Sequence, residues 1–193
     1  MRLFSILYTE RGFIVKKNKN FQKIILAALF LALAFIMPFL TGQIPEVGSM
    51  LCPLHIPVLL CGFICGPTLG FAVGFIAPLF RSFILGMPPL FPTAVCMAFE
   101  LAAYGVITGL MHKLLPQKKP YIYVSLLTAM LVGRLVWGVA MYVCMGINGG
   151  TFTLAAFIAG AFTNAIPGII IQIMLIPILV IVVEKLQFSN LKD

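Results

Sequence analysis

Charge is what this sequence has least of. Of 193 residues only 13 are Lys or Arg and 5 are Asp or Glu, 9% in all. A soluble domain of this length carries roughly 48 charged residues. The shortage excludes a soluble globular domain and a disordered chain. Nucleic-acid binding is excluded as well, because the basic segments are short and lack interleaved aromatics. Only two carboxylates, Glu46 and Glu100, lie away from the chain ends, too few for a typical two-metal site. There is no His-Glu-x-x-His, no nucleophile elbow and no phosphate-binding Gly-x-x-x-x-Gly-Lys-Ser/Thr loop. These absences argue against an enzyme and leave no room for an ATPase domain. A small membrane enzyme acting on a lipid-borne substrate stays as an alternative, as does an accessory protein without a ligand.

What is abundant is apolar. Hydrophobic residues make up 62% of the chain and mean hydropathy is +1.12. A spanning helix takes about 20 residues, so an all-α membrane protein is expected. Six apolar runs are legible: Phe21–Leu40, Leu51–Cys65, Leu69–Leu85, Thr93–Met111, Tyr121–Met145 and Phe152–Val183. The second barely reaches across about 30 Å of hydrocarbon. The sixth is overlong and contains Pro167 and Pro177. Between the third and fourth, Gly86-Met87-Pro88-Pro89-Leu90-Phe91-Pro92 is too proline-rich for a regular helix.

The net charge of +8 is a topology signal. Arg2, Arg11, Lys16, Lys17, Lys19 and Lys23 precede or open the first run. Lys113, Lys118 and Lys119 share one polar break, and Lys185 and Lys192 follow the last run. Cytoplasmic segments carry the excess of Lys and Arg. Both termini are therefore expected inside, with loops 41–50, 86–92 and 146–151 outside. The expected organisation is a basic cytoplasmic segment 1–20, a six-helix membrane domain 21–187 and a cytoplasmic tail 188–193, in a bacterial plasma membrane. Anionic lipid attraction comes as a by-product.

Cys52, Cys61, Cys65, Cys96 and Cys144 lie in apolar runs and read as small buried hydrophobes. No metal site or cofactor is implied. Small residues recur four apart at Ala28/Ala32, Gly62/Gly66/Gly70/Gly74, Ala98/Ala102, Gly105/Gly109, Ala156/Gly160 and Ala161/Ala165. Such faces let helices approach closely in lipid. Packing within the monomer accounts for most of them, with Ala28/Ala32 the best candidate for docking another membrane protein.

Polar groups inside spans are expensive and are functional candidates by default. They are His55, Arg81, Glu100, Arg134, Asn164 and Gln172, with Gln43, Glu46, Asn148 and Thr151 near the outer ends. Arg81 either snorkels to the outer headgroups or holds a carboxylate or phosphate. Arg134 is too deep to snorkel, so a buried pair with Glu100 is expected, with ligand contact open. Trp137, one turn after Arg134, is a plausible wall of a small-molecule site or an interfacial anchor. His55 is a packing residue or a ligand contact. Asn164 and Gln172, two turns apart on one face, line a cavity or bond across to neighbouring helices.

The stretch Lys23-x-x-x-x-Ala28-Leu-Phe-Leu-Ala32, then Leu54-His55-Ile56-Pro57-Val58, then Cys65-Gly66-Pro67-Thr68-Leu69-Gly70-Phe71-Ala72-Val73-Gly74, together with length and topology, resembles the substrate-binding (S) components of energy-coupling factor (ECF) vitamin transporters. The resemblance covers residues 21–185. It implies a bundle that captures a small vitamin or precursor from outside. It also implies partners: a membrane coupling subunit and two cytosolic ATPases. Ala28 and Ala32 would map to the coupling-subunit contact. Arg81-Ser82-Phe83-Ile84-Leu85-Gly86-Met87-Pro88-Pro89 is similar to pantothenate-binding chains, and Arg81 and Arg134 suit an anionic ligand. Niacin, lipoate, another acidic precursor and a neutral vitamin such as pyridoxine stay open.

Overall fold

The computed structural model describes residues 19–41, 44, 48, 50–116 and 118–189. Most of the expected basic segment, the end of the tail, and the candidates Gln43 and Glu46 lie outside the described residues. Among the described residues all regular structure is helical. Helix α1 is Lys19–Ile36, α2 His55–Cys65, α3 Pro67–Leu85, α4 Val95–Leu114, α5 Lys119–Ile147, α6 Leu154–Ile158 and α7 Ile166–Ser189.

Among the described residues five helices are long and apolar enough to cross a membrane, where six spans were expected. The difference is α2. Its 11 residues extend only about 16 Å at 1.5 Å per residue. Every residue of α2 except Ile64 is buried. A helix apolar on all sides is an interior helix, and α1, α3, α4 and α7 pack around this one. Its apolar run therefore serves the protein core instead of a lipid surface.

The sixth expected span is divided. Helix α6 ends at Ile158, a wide turn covers Ala159–Thr163, and α7 opens at Ile166. Pro167 is the second residue of α7, where its missing N–H would be unpaired in any case. The proline thus starts a helix and does not kink one. Pro177 stays inside α7. The proline-rich stretch before α4 is irregular as expected, with a wide turn at Leu90–Ala94 and non-helical backbone at Phe91.

Glycines set the centre of the bundle. Gly66 has φ +96°, a conformation that side chains resist, and it lets α2 fold straight back into α3. Across that hairpin a methyl group on Gly70 would collide with Gly62 and with the Gly105 carbonyl of α4. Gly74 meets Leu101 in the same way, and Gly109 meets Gly66 and Pro67. Helices α3 and α4 are therefore antiparallel and in backbone contact. The Gly62–Gly74 and Gly105/Gly109 repeats pack within the monomer. The first helix differs: Ala27, Phe30 and Ala34 face the core, whereas Ala28 and Ala32 are exposed.

Candidate ligand-binding site

Glu100 and Tyr104 are one turn apart on the buried face of α4, the spacing at which helical side chains meet. Arg134 comes from the middle of α5 and His55 opens α2. All three neighbours converge on one carboxylate oxygen. Glu100 Oε1 lies 3.0 Å from Arg134 Nη1 and 3.4 Å from His55 Nε2. It also accepts a hydrogen bond from the Tyr104 hydroxyl at 3.2 Å. The His55 and Tyr104 rings are 5.2 Å apart and tilted by 59°. All four side chains are buried.

Cys52 completes the group. It has φ +49°, in the turn ahead of α2, and its sulfur accepts a hydrogen bond from Arg134 Nη2 at 3.6 Å. The sequence reading treated it as a small hydrophobe and did not anticipate this contact. Tyr104 was also missed, although its position four residues after Glu100 carried the signal. All five cysteines are buried and none forms a disulfide.

The expected pair between Arg134 and Glu100 is present, and it neutralises both charges in a low-dielectric interior. The donor set is still incomplete. Arg134 Nε and His55 Nδ1 are buried without a hydrogen-bond partner among the described residues. Gln172, on α7, is 1% exposed, and neither atom of its amide is bonded among them. An unpaired buried amide group costs roughly 1–3 kcal/mol.

Arg81 is 5% exposed, so its side chain lies inside the protein. Its Nε donates to the Met87 carbonyl at 3.0 Å, which ties the proline-rich stretch to α3. Its Nη1 is buried with no hydrogen-bond partner among the described residues, and no described carboxylate pairs with it. The α3–α4 contacts fix its level. Gly70 opposes Gly105 and Gly74 opposes Leu101, so Arg81 falls level with Ala94. That is about 9 Å along the bundle from Glu100 at 1.5 Å per residue.

A model of the family described as ECF transporter, substrate-specific component, matches residues 22–180. The chain belongs to this family. No curated protein and no solved structure matches it. ECF substrate-specific components are membrane-embedded subunits that bind the substrate of an importer, and the chain's apolar helices agree with that setting. Within this S component the expected site residues separate into two groups. His55, Glu100 and Arg134 are brought together, with Arg81 at a higher level of the same bundle. Asn148, Thr151 and Asn164 are exposed and do not join them. Asn164 and Gln172 do not share a helix face, because Asn164 precedes α7. Trp137 packs in an aromatic cluster, 5.8 Å from Phe152 and 6.3 Å from Phe157, with its indole over Gly160.

Proposed function

We propose that this S component captures a small water-soluble vitamin or precursor bearing an acid group, with pantothenate the leading candidate. Arg81 carries the reading. It is a buried guanidinium with one bond to a backbone carbonyl and no counter-ion among the described residues. An isolated charge in a membrane bundle is costly unless something compensates it, and a carboxylate suits the planar guanidinium fork. Arg134 is already balanced by Glu100. Its role is to hold the polar floor of the site, with His55 and Tyr104 beside it.

The chain crosses the membrane six times with both termini in the cytoplasm of a bacterial cell. The hairpin at Gly66 supports this count, since α2 is shielded from lipid by its neighbours and so need not match the bilayer thickness. Arg81 and the proline-rich stretch then face outward. Ala28 and Ala32 meet a membrane coupling subunit that works with two cytosolic ATPases.

The test is a thermal-shift panel of vitamins on the purified protein, with mass spectrometry of any small molecule that co-purifies. Pantothenate or another acidic vitamin should raise the melting temperature. The reading fails if no vitamin shifts it and nothing co-purifies. A shift by pyridoxine alone would refute the acidic class.

A further inference from the structure

A polar concavity lies at the opposite end of the bundle from Arg81. It is a cavity of about 310 Å³ between the end of α4, the start of α5 and the end of α7. Lys118, Lys119 and Lys185 line it, and His112 and Tyr121 contribute to its wall. Among the described residues no carboxylate lines it. All three lysines are exposed. The rest of the lining is largely apolar, including Leu115, Ile122 and Ile181.

We propose that this cavity holds the phosphate headgroup of an acidic phospholipid. Three lysines around an opening with no acid among its described lining residues favour an anion. The apolar wall makes a lipid the better occupant than a free anion, because a glycerol backbone and the first acyl carbons fit against Leu115, Ile122 and Ile181. Depth agrees. The apolar stretch of α7 that is long enough to span ends at Val183, two residues before Lys185, and Lys118 and Lys119 stand where α5 begins. The cations thus lie at headgroup level and the apolar residues just below it. Basic pockets between the ends of membrane helices are suited to such headgroups. The volume is within the range of small-ligand sites. The inference is independent of the vitamin reading, which concerns the other end of the bundle.

The experiment uses the full chain in neutral detergent, with native mass spectrometry and melting curves. The probes are dioleoyl phosphatidylglycerol, dioleoyl phosphatidylcholine and millimolar inorganic phosphate. Phosphatidylglycerol should bind as a discrete adduct and raise the melting temperature, and phosphatidylcholine should not. Combined Lys118→Gln, Lys119→Gln and Lys185→Gln should weaken the adduct roughly a hundredfold. The matching Lys→Arg triple should retain it. Lys113→Gln, at an exposed lysine outside the lining, should leave binding unchanged. Equal binding of the two lipids would overturn the proposal, as would full binding by the Gln triple or a loss with Lys113→Gln equal to that of the triple. Inorganic phosphate that stabilises the protein alone and displaces the lipid would overturn the lipid assignment in favour of a free anion. The two-lipid comparison on the unaltered chain decides the matter even if the Gln triple does not fold.

Discussion

Glu100 on α4 and Arg134 on α5 form a buried ion pair of 3.0 Å, with Oε1 facing Nη1. The same oxygen also takes the Tyr104 hydroxyl and approaches His55. One carboxylate therefore joins α2, α4 and α5 at a single point. Removing one partner leaves a buried, uncompensated charge, which typically costs about 3–5 kcal/mol. Glu100→Ala should destabilise the protein by that order in unfolding measured in detergent. Glu100→Leu combined with Arg134→Leu should recover most of the loss. A double variant as unstable as Glu100→Ala would show that the pair's hydrogen bonds matter more than charge balance.

Arg81 should control the affinity for an acidic ligand. Arg81→Ala removes a charge-assisted contact of about 1.5–3 kcal/mol, roughly ten- to a hundredfold in Kd. Titration calorimetry with the vitamin found by thermal shift measures it directly. Unchanged affinity would reassign Arg81 to anchoring the Met87 carbonyl.

Gln172 separates stability from binding. Its amide is buried and unbonded among the described residues, so Gln172→Leu should stabilise the ligand-free protein by about 1–3 kcal/mol. If the amide serves the ligand, the same variant should reduce the ligand-induced rise in melting temperature. A destabilised variant with normal binding would mean that the amide is satisfied within the protein.

Backbone contact between α3 and α4 leaves no room for a side chain at Gly105, which lies against Gly70. Gly105→Val should cost at least about 1–3 kcal/mol through overpacking, read as lower yield and a lower melting temperature. Near-normal stability would contradict the close crossing.

Ala28 and Ala32 are exposed on α1, so bulk there disturbs no core contact. Ala28→Trp and Ala32→Trp should leave ligand binding within about twofold and abolish uptake by cells that carry the coupling module. Binding within a factor of two corresponds to less than about 0.5 kcal/mol. Lost binding would place these alanines in the monomer core.

Much of the polar site was legible because polar groups are so scarce. In a chain with one carboxylate deep in its apolar runs, Arg134 had one evident partner, and Glu100 is that partner. Tyr104 and Cys52 were not singled out, since both residue types are common in apolar helices and mark no chemistry unless a neighbour is known. Asn164 and Gln172 were misread together. Helical spacing put them on one face, but the chain turns between them before α7 begins. Periodicity describes a helix and cannot report that the helix is broken.

The sequence alone determined the membrane setting, because 62% apolar residues against 9% charged leave a chain no other solvent. It also marked the ends of α1, α3, α4 and α5 to within a few residues, through proline, glycine and lysine placed where a spanning helix must stop. Only the tertiary structure decided what each apolar surface faces. Leu59 of α2 is fully buried and Leu29 of α1 is 53% exposed, yet both are leucines in apolar helices. Lipid and protein interior are equally apolar, so hydrophobicity carries no information about which one a side chain meets. That is why α2 reads like the other apolar runs and yet sits at the centre of the bundle. Arg81 shows the same limit for charge, since one bond to the Met87 carbonyl, set by how α3 meets the proline-rich stretch, holds it inside the protein.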